Sequence, residues 1–90
     1  MKTIPPAAKP YKQTPEFNEA TIPKGLLKDH QTKAGIWGKI VVLEGKLLYT
    51  IQEPHEEILL EPGRDGVVEP TVLHHVQPQG AVRFYVEFYQ

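Results

Sequence analysis

Ile36-Trp37-Gly38-Lys39-Ile40-Val41-Val42-Leu43-Glu44-Gly45-Lys46-Leu47-Leu48-Tyr49-Thr50-Ile51-Gln52 is the stretch on which the fold turns. Two β-rich runs, Ile40-Val41-Val42-Leu43 and Leu47-Leu48-Tyr49, flank Glu44-Gly45. Glycine supplies the positive φ that a tight turn usually requires. The stretch therefore predicts strands at 36–44 and 46–52 that fold on each other as a hairpin. Downstream, Ala81 to Tyr89 alternates with period two. Val82, Phe84, Val86 and Phe88 point to the core, and Arg83, Tyr85, Glu87 and Tyr89 point the other way, either into solvent or into a cavity.

Outward from these two segments, turn chemistry recurs every ~8–12 residues. Further short strands are expected near 16–22, 25–31, 56–61, 66–69 and 73–77, with Pro62-Gly63-Arg64-Asp65-Gly66 as a hairpin loop. Prolines at 15, 23, 54, 62, 70 and 78 and glycines at 25, 35, 45, 63, 66 and 80 leave no window with a 3.6-residue apolar period. Residues 1–14, biased to lysine, proline and alanine, predict an extended arm ahead of a β-barrel domain at 15–90. No solenoid repeat is present.

Ninety residues make one domain with a thin core, one that buries roughly 60–65% of the surface the unfolded chain exposes. A bound metal or a second copy would reinforce it, because no cysteine is available for a disulfide, a thiolate cluster or a nucleophile. Ten basic and eleven acidic residues, mixed along the chain to a net charge of −1, give no stripe for nucleic acid or anionic lipid. No apolar run approaches the ~18–20 residues of a membrane span, and no signal peptide is apparent. A cytoplasmic protein with neither nucleic-acid nor membrane partners is the expectation.

The histidines are the main candidates for chemistry. His30 and His74, carried on two strands of a compact barrel, could converge inside it as metal ligands. The bland alternative for His30 is a ring satisfied by a backbone carbonyl or by Asp29. His74 and His75 are neighbours, so on a strand only one faces inward. His55, in the turn Glu53-Pro54-His55-Glu56, reads as solvent-exposed. A serine triad is excluded, since the chain has no serine. Gly63-Arg64-Asp65-Gly66, a two-glycine turn with an acid inside, is no phosphate loop. Glu53, Glu56, Glu57 and Glu61 read as a solvated edge. Trp37 and the Phe84, Tyr85, Phe88, Tyr89 cluster read as structural aromatics.

These residues resemble the TehB/YeaR-like domain family, small cupins found alone or fused ahead of the methyltransferase of tellurite-resistance protein B. The resemblance runs from Tyr11-Lys12-Gln13-Thr14-Pro15-Glu16-Phe17 through Pro23-Lys24-Gly25-Leu26-Leu27, His30-Gln31-Thr32-Lys33-Ala34-Gly35, Val42-Leu43-Glu44-Gly45 and Glu69-Pro70 with His74, to Phe84-Tyr85-Val86-Glu87-Phe88-Tyr89. It implies an all-β, single-domain cupin-like jelly roll, the double-stranded β-helix barrel. In such a cupin, a histidine about four residues after a proline belongs to the second metal motif, and His74 after Pro70 fits it. The first motif is depleted. His30 stands for one of its histidines, while Gln31, Thr32 and Lys33 supply no second and Trp37-Gly38-Lys39 no glutamate. Glu87, on the polar face of its strand, would complete a two-histidine, one-carboxylate set. The alternative for Glu87 is a pair with Arg83 on the same face.

The leading expectation is a small metal-binding cupin module, with His30, His74 and Glu87 holding a divalent metal, most readily zinc, and no nucleotide cofactor. It would act on or sense a small molecule or oxyanion, tied to tellurite resistance by the resemblance, and would form a homodimer. The alternatives are a metal-dependent enzyme on an unknown small substrate and a metal-free structural or interaction module.

Overall fold

The structure, a computed structural model, describes all 90 residues. The chain is all-β, as the turn spacing predicts. Its strands are β1 (Pro10–Gln13), β2 (Phe17–Asn18), β3 (Trp37–Gln52), β4 (His55–Leu60), β5 (Gly66–Val68) and β6 (His74–Tyr89), with one 3-10 turn at Lys24–Leu26. No helix is long and apolar enough to cross a membrane.

The hairpin expected at Glu44-Gly45 does not form. β3 runs through it as one strand of 16 residues, and β6 pairs antiparallel along its length, from Trp37 opposite Tyr89 to Ile51 opposite His74. Parity explains the outcome. On a regular strand, residues of one parity share a face. In β3, however, Ile40 and Val42 are buried before Gly45, whereas Leu47, Tyr49 and Ile51 are buried after it. Only a change of register keeps both sets on the core, and the pairing shifts between Val42 and Glu44 and again between Gly45 and Leu47. Gly45 sits in this bulge at φ 80°, where a Cβ would overlap the carbonyl oxygen of Ala81. The β3–β4 hairpin turns instead at Glu53-Pro54, with Gln52 opposite His55.

The bulge divides the β3–β6 ribbon into two halves. In the first, β3 lies between β5 and β6, with Gly38 opposite both Val68 and Phe88. β1 and β2 extend this half along the far edge of β6. In the second half, β3 lies between β4 and β6, with Tyr49 opposite both Ile58 and Val76. The ladder runs β1-β6-β3-β4, an open path rather than a closed ring. Both halves bury one face in the same core, which includes Ile40, Val42, Leu47, Tyr49, Leu60, Val82 and Phe84. Phe17 packs its ring edge-on against Phe84, centroids 5.7 Å apart, and seats β2 on that core.

The strand expected at 25–31 is also absent. After the 3-10 turn, which Pro23 precedes, the backbone pairs with β6 only at a bridge between His30 and His74. That single bridge builds the site.

Candidate functional site

A cavity of about 400 Å³ opens between the two halves, lined by 15 residues of which nine are apolar. Its floor is the inward face of the ribbon: Ile40, Val76, Phe84, Val86 and Phe88. The alternation in β6 places them there, with Val76 and Phe84 fully inside. Leu26 and Ile36 add apolar wall from the segment between β2 and β3. Polar groups enter on two sides. Lys12 comes from β1, and His30, Gln31, Thr32 and Lys33 come from the loop before β3. Of the chain's eleven acidic residues, none lines the cavity. Neither Lys12 nor Lys33 takes part in an ion pair. Two exposed lysines without ion-pair partners and no carboxylate in the lining bias the cavity to positive charge.

His30 and His74 meet inside this cavity. Their backbones exchange N–H···O bonds of 2.9 Å in both directions, and their ring centroids lie 4.1 Å apart. Of the alternatives for His30, the carbonyl holds: Nδ1 donates to the Lys28 carbonyl at 2.9 Å. His74 donates likewise to Val72 at 3.0 Å and meets the buried Tyr49 ring edge-on. His74 is 3% exposed, and burial pulls its pKa down to about 4, with the nearby His30 adding to that effect. Parity therefore selects His74, not His75, for the interior. His75 faces outward and pairs with Asp29 at 2.7 Å, which, together with the amide of Gln52, holds the Asp29 carboxyl below its ordinary range.

Backbone bonds brace the loop around the pair. Thr71 N–H donates to Thr32 O at 3.1 Å, and Thr71 holds φ 64°, a left-handed conformation unusual for a β-branched residue. The Thr32 hydroxyl donates to Ile36 O at 2.7 Å. Strain of this kind, kept by surrounding bonds, is common beside binding sites.

Glu87 is not brought to the pair. It lies opposite Lys39 on the outer face of the ribbon and accepts a bond from the Tyr89 hydroxyl at 2.6 Å. Nor does it pair with Arg83, which bonds Glu16 and Glu44. Lys12 and Lys33 were not among the residues singled out from the sequence. The signal was faint: Lys33 belongs to the polar stretch after His30, and Lys12 counts only once β1 is known to join β6.

A family model of the TehB-like domain matches residues 12–86. Among curated proteins, "Probable S-adenosyl-L-methionine-dependent methyltransferase TehB" of Haemophilus influenzae strain Rd is 36% identical, over 74% of this chain and 25% of its own length. The protein of the same name from strain 10810 is 35% identical over the same shares. The chain thus spans about a quarter of the length of the curated relatives it matches. Among solved structures, TehB from Haemophilus influenzae superposes with a TM-score of 0.82 at 31% identity, over 91% of this chain and 31% of that one. A protein from Escherichia coli K12 superposes with a TM-score of 0.89 at 24% identity, over 100% and 97% of the two chains, and shares the fold.

These findings correct the cofactor expected from the sequence, a divalent metal such as zinc with no nucleotide cofactor. No three His, Cys, Asp or Glu side chains come together in a cluster able to hold a metal. The curated relatives, moreover, carry S-adenosyl-L-methionine dependence in their names. The physical reason is the orientation of β6: the parity that turns Phe84, Val86 and Phe88 inward turns Glu87 out.

Proposed function

The chain belongs to the TehB-like domain family, and from that premise we propose that it is a cupin-type jelly-roll module whose cavity binds a small organic anion in the service of methyl transfer. The open sheet bent over one core, with a pocket between its halves, supports the cupin reading. One observation carries the ligand reading: a mainly apolar cavity whose lining includes no carboxylate and two lysines without ion-pair partners. Apolar walls with a few convergent polar groups are the usual form of a small-molecule site.

S-adenosyl-L-methionine is the cofactor in the names of the relatives, and we take it as the cofactor of the methyl-transfer system this module serves. The cavity, with no acid to receive ribose hydroxyls and two lysines facing a sulfonium, suits an anionic guest better. A role in tellurite resistance rests on the family resemblance.

Calorimetric titration with benzoate tests the reading. Saturable binding, weakened about threefold or more in Lys12→Met and Lys33→Met as an exposed charge contact is lost, is the expected result. S-adenosyl-L-methionine titrated in parallel binds more weakly than the anion. Absence of saturable binding by any small carboxylate overturns the proposal.

A further inference from the structure

The anion reading gives the lysines a task and leaves His30 and His74 without one. Across their antiparallel bridge the two residues send side chains to the same side of the ladder, which is why the rings touch. Each ring commits Nδ1 to the carbonyl two residues before it, Lys28 for His30 and Val72 for His74. A carbonyl can only accept, so in the neutral rings the proton sits on Nδ1 and Nε2 is a bare lone pair. No donor of the protein reaches either Nε2. His74 is buried, yet no sealed polar atom lacks a partner, so its Nε2 opens on the cavity that both rings line.

Two adjacent acceptors set in an apolar wall have a definite preference. An oxygen lone pair placed against them is repelled, and an apolar group leaves them unbonded at the cost of their hydration. A hydroxyl donates and satisfies them. We propose that the His30–His74 pair selects guests that carry a hydroxyl group as well as an acid group, so that the ligand class of this cavity is the small hydroxylated carboxylic acids. The carboxylate meets Lys12 and Lys33, and the hydroxyl hydrogen meets an imidazole Nε2. The burial that keeps His74 neutral favours the same outcome, because a charged ring would accept nothing.

This inference rests on the anion-binding reading, and one titration series separates the two. Benzoate, the ortho, meta and para hydroxybenzoates and their methyl ethers are titrated into the wild-type protein near neutral pH, with EDTA present to keep scavenged metal from bridging the imidazoles. At least one hydroxybenzoate binds about fivefold or more tighter than benzoate, the worth of a hydrogen bond to a buried acceptor, and its methyl ether loses that gain. In His30→Phe and His74→Phe, which keep a ring and remove the acceptor, the ratio of hydroxybenzoate to benzoate affinity falls toward one. Should His74→Phe fail to fold, the comparison of hydroxyl with methyl ether on the wild type decides alone. Equal binding of benzoate and all three hydroxybenzoates overturns the selection by the pair and leaves the anion reading standing. Binding by none of them overturns both.

Discussion

Gly45 and Gly80 have almost the same backbone, φ 80° and 85°, and opposite surroundings. A Cβ on Gly80 meets nothing within 4 Å, whereas on Gly45 it collides with Ala81 and Val82 backbone. Gly80→Ala should therefore cost only the left-handed penalty of ~1–2 kcal/mol. Gly45→Ala should cost ~3 kcal/mol or more, because neither ribbon strand can yield. Urea unfolding of the two variants measures the difference. His74 sets a pH dependence of its own. Its ring takes a proton at the ordinary 6.5 when unfolded and only near about 4 when folded, so between those values the unfolded state binds more protons. The contribution is complete above about 6.5 and is lost as pH falls to about 4, amounting to at most ~3 kcal/mol. Asp29, held low by His75 and Gln52, loses its share only below that window. Urea midpoints across pH should slope less in His74→Phe than in wild type. At this scale legibility was uneven: the exposure of His55 follows from its turn, the carbonyl that holds His30 was one of two partners its neighbours offered beside a ligand role, and the inward choice of His74 over His75 came from the family resemblance rather than from parity alone. The outward place of Glu87 was not legible: parity put it on the polar face of its strand, a face that could as well have lined a cavity, and only the assembled ribbon turns it away from the histidines.

Side chains continue the sheet where the backbone of the edge elements breaks off. Between β1 and β2 the chain passes Pro15, and Thr14 bridges the gap: its N–H donates to Val86 O and its hydroxyl accepts from Val86 N–H, both at 2.9 Å. Glu19 does the same beyond β2, accepting from Val82 N–H at 3.0 Å. Thr14→Val removes the acceptor at constant shape, strands the Val86 N–H, and should cost ~1–2 kcal/mol in urea unfolding. By contrast the exposed Arg83 bonds to Glu16 and Glu44 lie in water, where such pairs contribute little. The elements were legible where alternation is uninterrupted. Ala81–Tyr89 keeps one parity throughout and its inward set was read correctly. In Ile36–Gln52 the switch from even to odd buried positions was present in the letters, yet a glycine between two apolar runs supports a hairpin as readily as a bulge. The partner that decides between them, β6, lies far along the sequence.

For the whole molecule, the cavity was the least legible feature, because Lys12, His30 and Phe84 become neighbours only after β1, the loop before β3 and the ribbon are assembled. The same long ribbon governs how the chain reaches that state. Ile51 and His74 are 23 positions apart, while Trp37 and Tyr89 are 52 apart. With no turn at Gly45, β3 and β6 cannot start from the bulge; the end with the shorter intervening loop closes at lower entropic cost and the other follows by zippering. Amides of Tyr49 and Ile51 should gain protection before those of Lys39 and Val41 in quenched-flow hydrogen exchange. Non-local pairing of this kind places refolding in the range of ~milliseconds to seconds. His74 and Val76 stand at the end expected to close first and Val86 and Phe88 near the other, so the pocket is complete only once the ribbon has zipped along its whole length.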